Sequence, residues 1–282
     1  MISFIGAGKV GSALGLYFKQ KGLEVAGYYS RTYNHAEHAA KLTGTKTYSN
    51  IGELMNNSTM VWITASDDAL PQLAKEIAQM DIPQHIKAFV HVSGVHSTAI
   101  LQPIKDAGFP IYCAHPLMAF GEPNESAQQL SDAYFTWDSS MDEMESMNEN
   151  FISTFLAQLG NQTLQIDTKK KELYHCAASV LSNYLVTLLN LAYDMFAESG
   201  MSKSEIKRAT TPLLKSTLKN IAENEHMSDA LTGAIKRGDA STVAKHLETL
   251  QQNMPDKLTI YKALGRETMA MLQDDRLKNL LG

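Results

Sequence analysis

The sequence predicts an α/β protein, an N-terminal doubly wound parallel sheet followed by an all-α C-terminal half. Three observations predict it. Apolar runs alternate with amphipathic helical stretches up to residue 167. A glycine turn, Gly6-Ala7-Gly8-Lys9-Val10-Gly11, joins the first apolar run to the first helical stretch. Beyond residue 167 the strand pattern stops and helical periods continue to the C-terminus. The expected domains are therefore 1–167 and 168–282.

Taken in order, Ile2-Ser3-Phe4-Ile5 is the first strand and residues 12–21 continue the first helix. Between them Gly6 permits the tight bend, Gly8 removes a side chain that would block a pyrophosphate, and Gly11 lets helix and strand pack closely. The helix N-terminus adds free N–H groups and a positive dipole end. This strand, turn and helix is the Rossmann arrangement for a dinucleotide. The second strand, residues 23–29, ends in Ser30-Arg31-Thr32. An NAD site places a carboxylate there for the ribose 2′-hydroxyl. A guanidinium between two hydroxyls suits a 2′-phosphate instead, so the expected cofactor is NADP.

A helix over 35–42 stops at Gly44, residues 45–48 form a short strand, and 51–55 a short helix. Residues 59–64 read as a buried parallel strand. Asp67-Asp68 then opens a helix over 69–80, with Asp as N-cap and Pro71 in its first turn. Strands over 88–92, 110–114 and 133–137 and a helix over 100–107 follow, then a helix over 141–159 and a last strand over 163–166. Ligands of such sheets bind beyond the carboxyl ends of the strands. The loops to watch are Thr64-Ala65-Ser66, Ser93-Gly94-Val95-His96 and His115-Pro116-Leu117.

The chain has 282 residues, 44% hydrophobic and 20% charged, with a net charge of −5, as expected of a globular enzyme acting on a small molecule. Without a basic block it does not suit nucleic acid. No apolar stretch is read as reaching the ~18 residues of a membrane span, so no membrane partner is expected. The first strand begins at once, so no signal peptide is expected. The two cysteines, Cys113 and Cys176, lie outside any CxxC and fit reduced thiols in the cytoplasm. No His/Cys cluster has zinc spacing, so no metal is expected.

In the second half, residues 169–199 form one long helical pattern, followed by helices over 202–224, 228–233, 241–253 and 256–272. The long helix is apolar on nearly every side from 173 to 191, as in a helix buried within an assembly. One polar line runs along it. At about 100° per residue from His175, Lys171 lies near −40°, Ser182 near −20°, Ser179 near +40° and Asn183 near +80°. Such a stripe is either a satisfied network or a ligand-binding face.

The glycine turn, Ser30-Arg31-Thr32 and the sheet followed by helices resemble the 6-phosphogluconate dehydrogenase and pyrroline-5-carboxylate reductase superfamily. Tyr174-His175-Cys176-Ala177-Ala178-Ser179, with Ser182-Asn183-Tyr184, His115-Pro116-Leu117, Thr232-Gly233-Ala234 and Arg237-Gly238-Asp239, is similar to bacterial Rossmann-like proteins with a DUF2520 C-terminal domain. The resemblance implies an NADP oxidoreductase whose nicotinamide faces an interdomain cleft and whose helical domains pair into a homodimer. Hydroxyacid dehydrogenases of that superfamily use a helix Lys as acid/base with an Asn four residues on. Here Lys171 keeps the first place and His175 stands in the second.

Hydride transfer to a carbonyl or imine needs a proton at the heteroatom, and histidine titrates near working pH. His175 and His115 are the candidate acids, and Asn183 and Ser93 the candidate neutral donors. His91 and His96 rank lower, and His35, His38, His85, His226 and His246 read as surface residues. Two other functions compete. His115-Pro116-Leu117-Met118 is similar to the His-Pro-Met segment of prephenate dehydrogenases, although Ser182-Asn183-Tyr184 replaces their paired histidines. A non-catalytic NADP sensor has the same first half.

Overall fold

A computed structural model describes residues 1–139 and 151–282. The chain forms two compact units, Met1–Tyr184 and Leu185–Gly282. In the first, strands β1 (Ile2–Ile5), β2 (Val25–Tyr29), β3 (Lys46–Thr47), β4 (Met60–Ile63), β5 (Ala88–His91) and β6 (Ile111–Cys113) form one parallel sheet in the order β3-β2-β1-β4-β5-β6. Helices α1 (Lys9–Gln20), α2 (Tyr33–Thr43), α3 (Ile51–Asn56), α4 (Leu70–Ala78) and α5 (Gln102–Asp106) alternate with them. The expected doubly wound sheet is present.

Strand side chains alternate between two apolar layers, because successive residues point to opposite faces. Phe4, Tyr28, Trp62 and Val90 pack against Leu14 and Phe18 of α1. Ile5, Val61, Ile63 and Phe89 pack against Leu54, Leu70, Ile77 and Ile104 on the other side. Burial on both faces explains why these strands read as continuous apolar runs.

Three further strands form a second sheet. β7 (His115–Pro116) runs antiparallel to β8 (Phe135–Ser139), which pairs in parallel with β9 (Thr163–Asp167). Helix α6 (Pro123–Gln129) lies between β7 and β8 in sequence, and α7 (Phe151–Gln158) precedes β9. The 141–150 part of the helix expected over 141–159 lies outside the described residues. The expectation of an Asp cap before α4 is corrected. Ser66 precedes a 3₁₀ turn, Asp67–Ala69, so both aspartates sit in a first turn and neither caps. They still complement the positive helix end.

After β9, α8 (Lys171–Ser179) leads through a π turn, Val180–Tyr184, into α9 (Leu185–Glu198). Residues 168–184 stay with the first unit because Lys171 and Tyr174 are bonded to the second sheet. The π turn advances each residue by less than an α-helix does. The 100° phase therefore holds from Lys171 to Ser179 and does not fix the bearings of Ser182 and Asn183. Ser182 Oγ donates to the Ala178 carbonyl, 2.8 Å away, the bland alternative for this serine.

The expectation that no stretch has a membrane span's length is also corrected. By length and composition alone, Thr168–Glu198, with mean hydropathy 1.3 over its most apolar window, is long and apolar enough to cross one. Only 6% of that window is buried within the chain, so this chain does not itself supply the burial expected for the long helix. Leu173, Leu181 and Val186 are among its exposed apolar residues.

The second unit continues with α10 (Lys203–Glu223), α11 (Met227–Ala230), α12 (Ala234–Arg237), α13 (Ala240–Asn253), α14 (Pro255–Leu272) and α15 (Lys278–Leu281). Ser202 and Glu205 close a capping box at the start of α10. Val243, Met269, Leu277 and Leu281 form the unit's small core.

Candidate functional site

The glycine turn lies where β1 meets α1. Gly6 has φ 104°, and a Cβ there would stand 2.6 Å from the Thr64 carbonyl carbon, so glycine is required by the chain itself. Thr64 Oγ1 donates to the Gly6 carbonyl at 2.8 Å and ties the β4 loop to the turn. A Cβ on Gly11 would meet Thr64 Oγ1 and the Gly6 carbonyl, which accounts for the close strand–helix packing. Gly8 differs. A Cβ there would meet nothing within 4 Å. Among the described residues no packing asks for a glycine at that place. Gly8 is also the N-cap of α1 without a side-chain cap, and the first turn carries no acidic residue. The first-turn N–H groups thus lack intrahelical acceptors.

In front of this turn is a cavity of about 560 Å³ walled by Gly6, Ala7, Gly8, Ser30, Arg31 and Thr32, with Thr64, Ala65 and Ser66 opposite. Nine of the expected cofactor residues therefore meet in one place. Val10, Ser93 and Gly94 line a neighbouring cavity, Gly11 is packed against Thr64, and Lys9 is exposed and lines neither. Arg31 is exposed on the wall, and no ion pair is recorded for it among the described residues. His35 lines the same wall, two residues into α2 from its first residue, although it reads as a surface residue in the sequence. Gln72 and Glu76, one helical turn apart on α4, line it too. Their i,i+4 spacing was the available signal.

The neighbouring cavity, about 340 Å³, shares Thr64, Ala65 and Ser66 and adds Asp67, Ser93, Gly94, His115 and His175 over an apolar floor that includes Met118 and Phe120. Gly94 sits between the two histidines. A Cβ there would be 2.6 Å from His175 Cδ2 and 2.8 Å from His115 Nε2. Only a residue without a side chain lets both rings close on that loop. Ser93 Oγ accepts from the Val95 and His96 N–H groups, which shapes the turn.

The support for these rings comes from β8 and α8. Thr136 and Asp138 are two apart on β8 and share a face. Lys171 and Tyr174 are three apart on α8 and share a face. Lys171 Nζ donates to Asp138 Oδ1 at 2.6 Å and to Cys113 Sγ at 2.6 Å. Asp138 Oδ2 accepts from the Thr98 N–H at 2.8 Å. Both charges are buried, with side chains 3% and 1% exposed. Burial alone would lower the Lys171 pKa, but Cys113 and Asp138 outweigh it and hold the ammonium above its ordinary value. Burial pushes the Cys113 thiol up to about 12. Lys171 lines neither cavity. Its bond to Asp138 ties α8 to β8.

One turn on, Tyr174 Oη lies 2.8 Å from His115 Nδ1 and accepts from Thr136 Oγ1 at 3.1 Å. Tyr174, Thr136 and Asp138 were absent from the sequence-derived site. Burial, then the Lys171 charge, then His175 lower the His115 pKa to about 4, against a smaller opposing effect of Asp67. These surroundings favour the neutral imidazole at His115, a candidate acid in the sequence. Asn183 is exposed on the π turn and lines neither cavity. His91 is wholly buried, with Nδ1 accepting from the Ser93 N–H, and burial lowers its pKa to about 3.

The fold is mirrored in known proteins. Residues 1–116 match the Rossmann-like domain, and residues 141–268 match the Domain of unknown function (DUF2520). The two matched stretches follow one another along the chain. Tyr174 and His175 both fall in the DUF2520 match. No curated protein matches the sequence. Among solved structures, a candidate NADP oxidoreductase from Bacteroides fragilis is 20% identical over 95% of this chain and 96% of that one, with TM-score 0.74. An imine reductase from Myxococcus stipitatus in complex with NADP+ is 17% identical over 98% of each chain, with TM-score 0.62. A pyrroline carboxylate reductase from Plasmodium falciparum with NADP bound is 15% identical over 96% and 97%, with TM-score 0.61. These likenesses establish a shared fold with the Rossmann-like and DUF2520 chain.

Proposed function

We propose that this Rossmann-like and DUF2520 protein is an NADP-dependent oxidoreductase that moves hydride to or from the carbonyl or imine carbon of a small polar metabolite. The observation that carries it is the glycine with open space in front of it. Gly8 has no internal reason to lack a side chain, faces a cavity at a helix N-terminus, and shares that cavity with an exposed arginine. A diphosphate on the α1 N–H groups and a 2′-phosphate on Arg31, Ser30 and Thr32 account for all three. The bound cofactors of the imine reductase and the pyrroline carboxylate reductase support the same choice.

The dinucleotide would supply or accept the hydride. The chain's own part is to hold the reacting group in the second cavity, where Gly94 leaves room between His115 and His175. Ser93 shapes the loop, and the apolar floor limits water. The two free cysteines fit a reducing cytoplasmic setting. We further propose that a second copy of the chain covers the exposed apolar side of residues 173–188, forming a homodimer. Ser179, Asn183 and Thr187 interrupt that stretch, as suits a partly polar protein interface better than lipid.

Calorimetric titration with NADPH and NADH tests the cofactor. Tight NADPH binding that shifts toward NADH in Arg31→Asp is expected, and no affinity for either would overturn the proposal. Oxidation of NADPH against a panel of ketones, aldehydes and imines tests the reaction. Sedimentation of wild type against Leu181→Glu tests the dimer, with a shift to monomer expected.

A further inference from the structure

We infer that Tyr174 is a positioning residue that fixes His115 as the Nε2–H tautomer, and that the site therefore takes a neutral carbonyl compound in preference to a protonated imine. The inference rests on the oxidoreductase proposal for its chemistry, and on this chain alone for its geometry.

Thr136 Oγ1 has one proton and two neighbours, Tyr174 Oη at 3.1 Å and the His115 carbonyl at 3.4 Å. The shorter contact takes the proton, so Tyr174 Oη accepts from Thr136. Its own proton is left for His115 Nδ1 at 2.8 Å. A hydroxyl donating to Nδ1 makes that nitrogen the acceptor, and the ring proton moves to Nε2. The edge-on packing of the two rings, 86° between planes, aims the tyrosine at that nitrogen. Nε2 is the atom that lies against Gly94 in the cavity wall. The cavity therefore meets a fixed N–H donor.

A neutral imidazole in that state donates a hydrogen bond and takes up no proton itself, consistent with its pKa of about 4. A carbonyl oxygen offers lone pairs to such a donor. A protonated imine offers only N–H and would set donor against donor. In the reducing direction hydride adds to the carbonyl carbon and the C=O π pair moves to oxygen. Nε2–H stabilises the oxyanion, and water supplies the proton that completes the alcohol. The reduced nicotinamide supplies the electron pair.

Long-range ¹⁵N–¹H spectra of His-labelled protein, without nucleotide, test the tautomer. The wild type should show a pyrrole-type Nε2 and a pyridine-type Nδ1 for His115, assigned through the His115→Gln spectrum. Tyr174→Phe, which keeps the ring, should mix the two tautomers while its melting curve stays close to wild type. A pyrrole-type Nδ1 in the wild type, or an unchanged tautomer in Tyr174→Phe, overturns the inference. Turnover is the second readout. Ketones or aldehydes should be reduced faster than cyclic iminium ions of matched size, and Tyr174→Phe should lower kcat on carbonyls roughly tenfold or more with little change in KM. Faster reduction of the iminium overturns the substrate class. Failure to bind NADPH would remove the oxidoreductase proposal and the substrate class with it, whereas the tautomer would still be decided by the spectra.

Discussion

Replacing Lys171 with methionine removes the cation from a buried pair and keeps most of the side-chain volume. Asp138 would keep its bond from the Thr98 N–H and lose its counter-charge, at a place where its side chain is 1% exposed. Leaving one partner of a buried pair unmatched costs about 3–5 kcal/mol. At 1.4 kcal/mol per tenfold, that is roughly a 10²- to 10³-fold fall in the folded-to-unfolded ratio. Urea unfolding reads it directly. With a slope of about 1–3 kcal/mol per molar, the midpoint should drop by at least about 1 M. The double variant Lys171→Met, Asp138→Leu should recover most of the loss, because it buries no charge. A single variant within about 0.5 kcal/mol of wild type, or a double variant no more stable than the single, would refute the anchoring role.

Three further outcomes follow from the geometry. Gly94→Ala should push His115 and His175 apart, since its Cβ would lie 2.6 and 2.8 Å from them, and lower turnover by about 10²-fold. NADPH oxidation beside a melting curve checks it. Gly8→Ala should fold within about 0.5 kcal/mol of wild type yet lose nucleotide affinity by calorimetry, whereas Gly6→Ala should lose stability first. His91 and His115 are buried neutral, with pKa lowered from 6.5 to about 3 and about 4. Their contribution is complete above pH 6.5, where the unfolded histidines are also neutral, and is lost as pH falls from there toward those values. The urea midpoint should therefore drop over that window, and His91→Gln should flatten the slope.

The parallel sheet and the dinucleotide turn were legible because their signals are local. A glycine turn, the strand before it and Ser30-Arg31-Thr32 lie within about 30 residues, the span of one βαβ unit. The support beneath the histidines was not, because it depends on which strand pairs with which. Nothing near Thr136 or Asp138 in sequence announces that β8 faces both His115 and α8. Lys171 closes a run of three lysines that reads as solvated, yet it alone of the three is buried, being the one whose helical phase faces Asp138. The helical stripe was legible as far as Ser179. Beyond it a π turn, invisible to a fixed angular period, changes the bearing of Asn183. His35 was passed over because exposure and function look alike in a sequence when the wall of a cavity is itself solvent-facing.

The spacing of Thr136 and Asp138 gives β8 a particular fragility. One side chain reaches the tyrosine above His115 and the other neutralises the helix anchor, and both depend on a single pleat phase. Deleting or inserting one residue just before Thr136 would rotate the pair to the opposite side together. Point changes along this strand can be absorbed one at a time, but a one-residue length change would unseat the imidazole and unpin the helix in the same event.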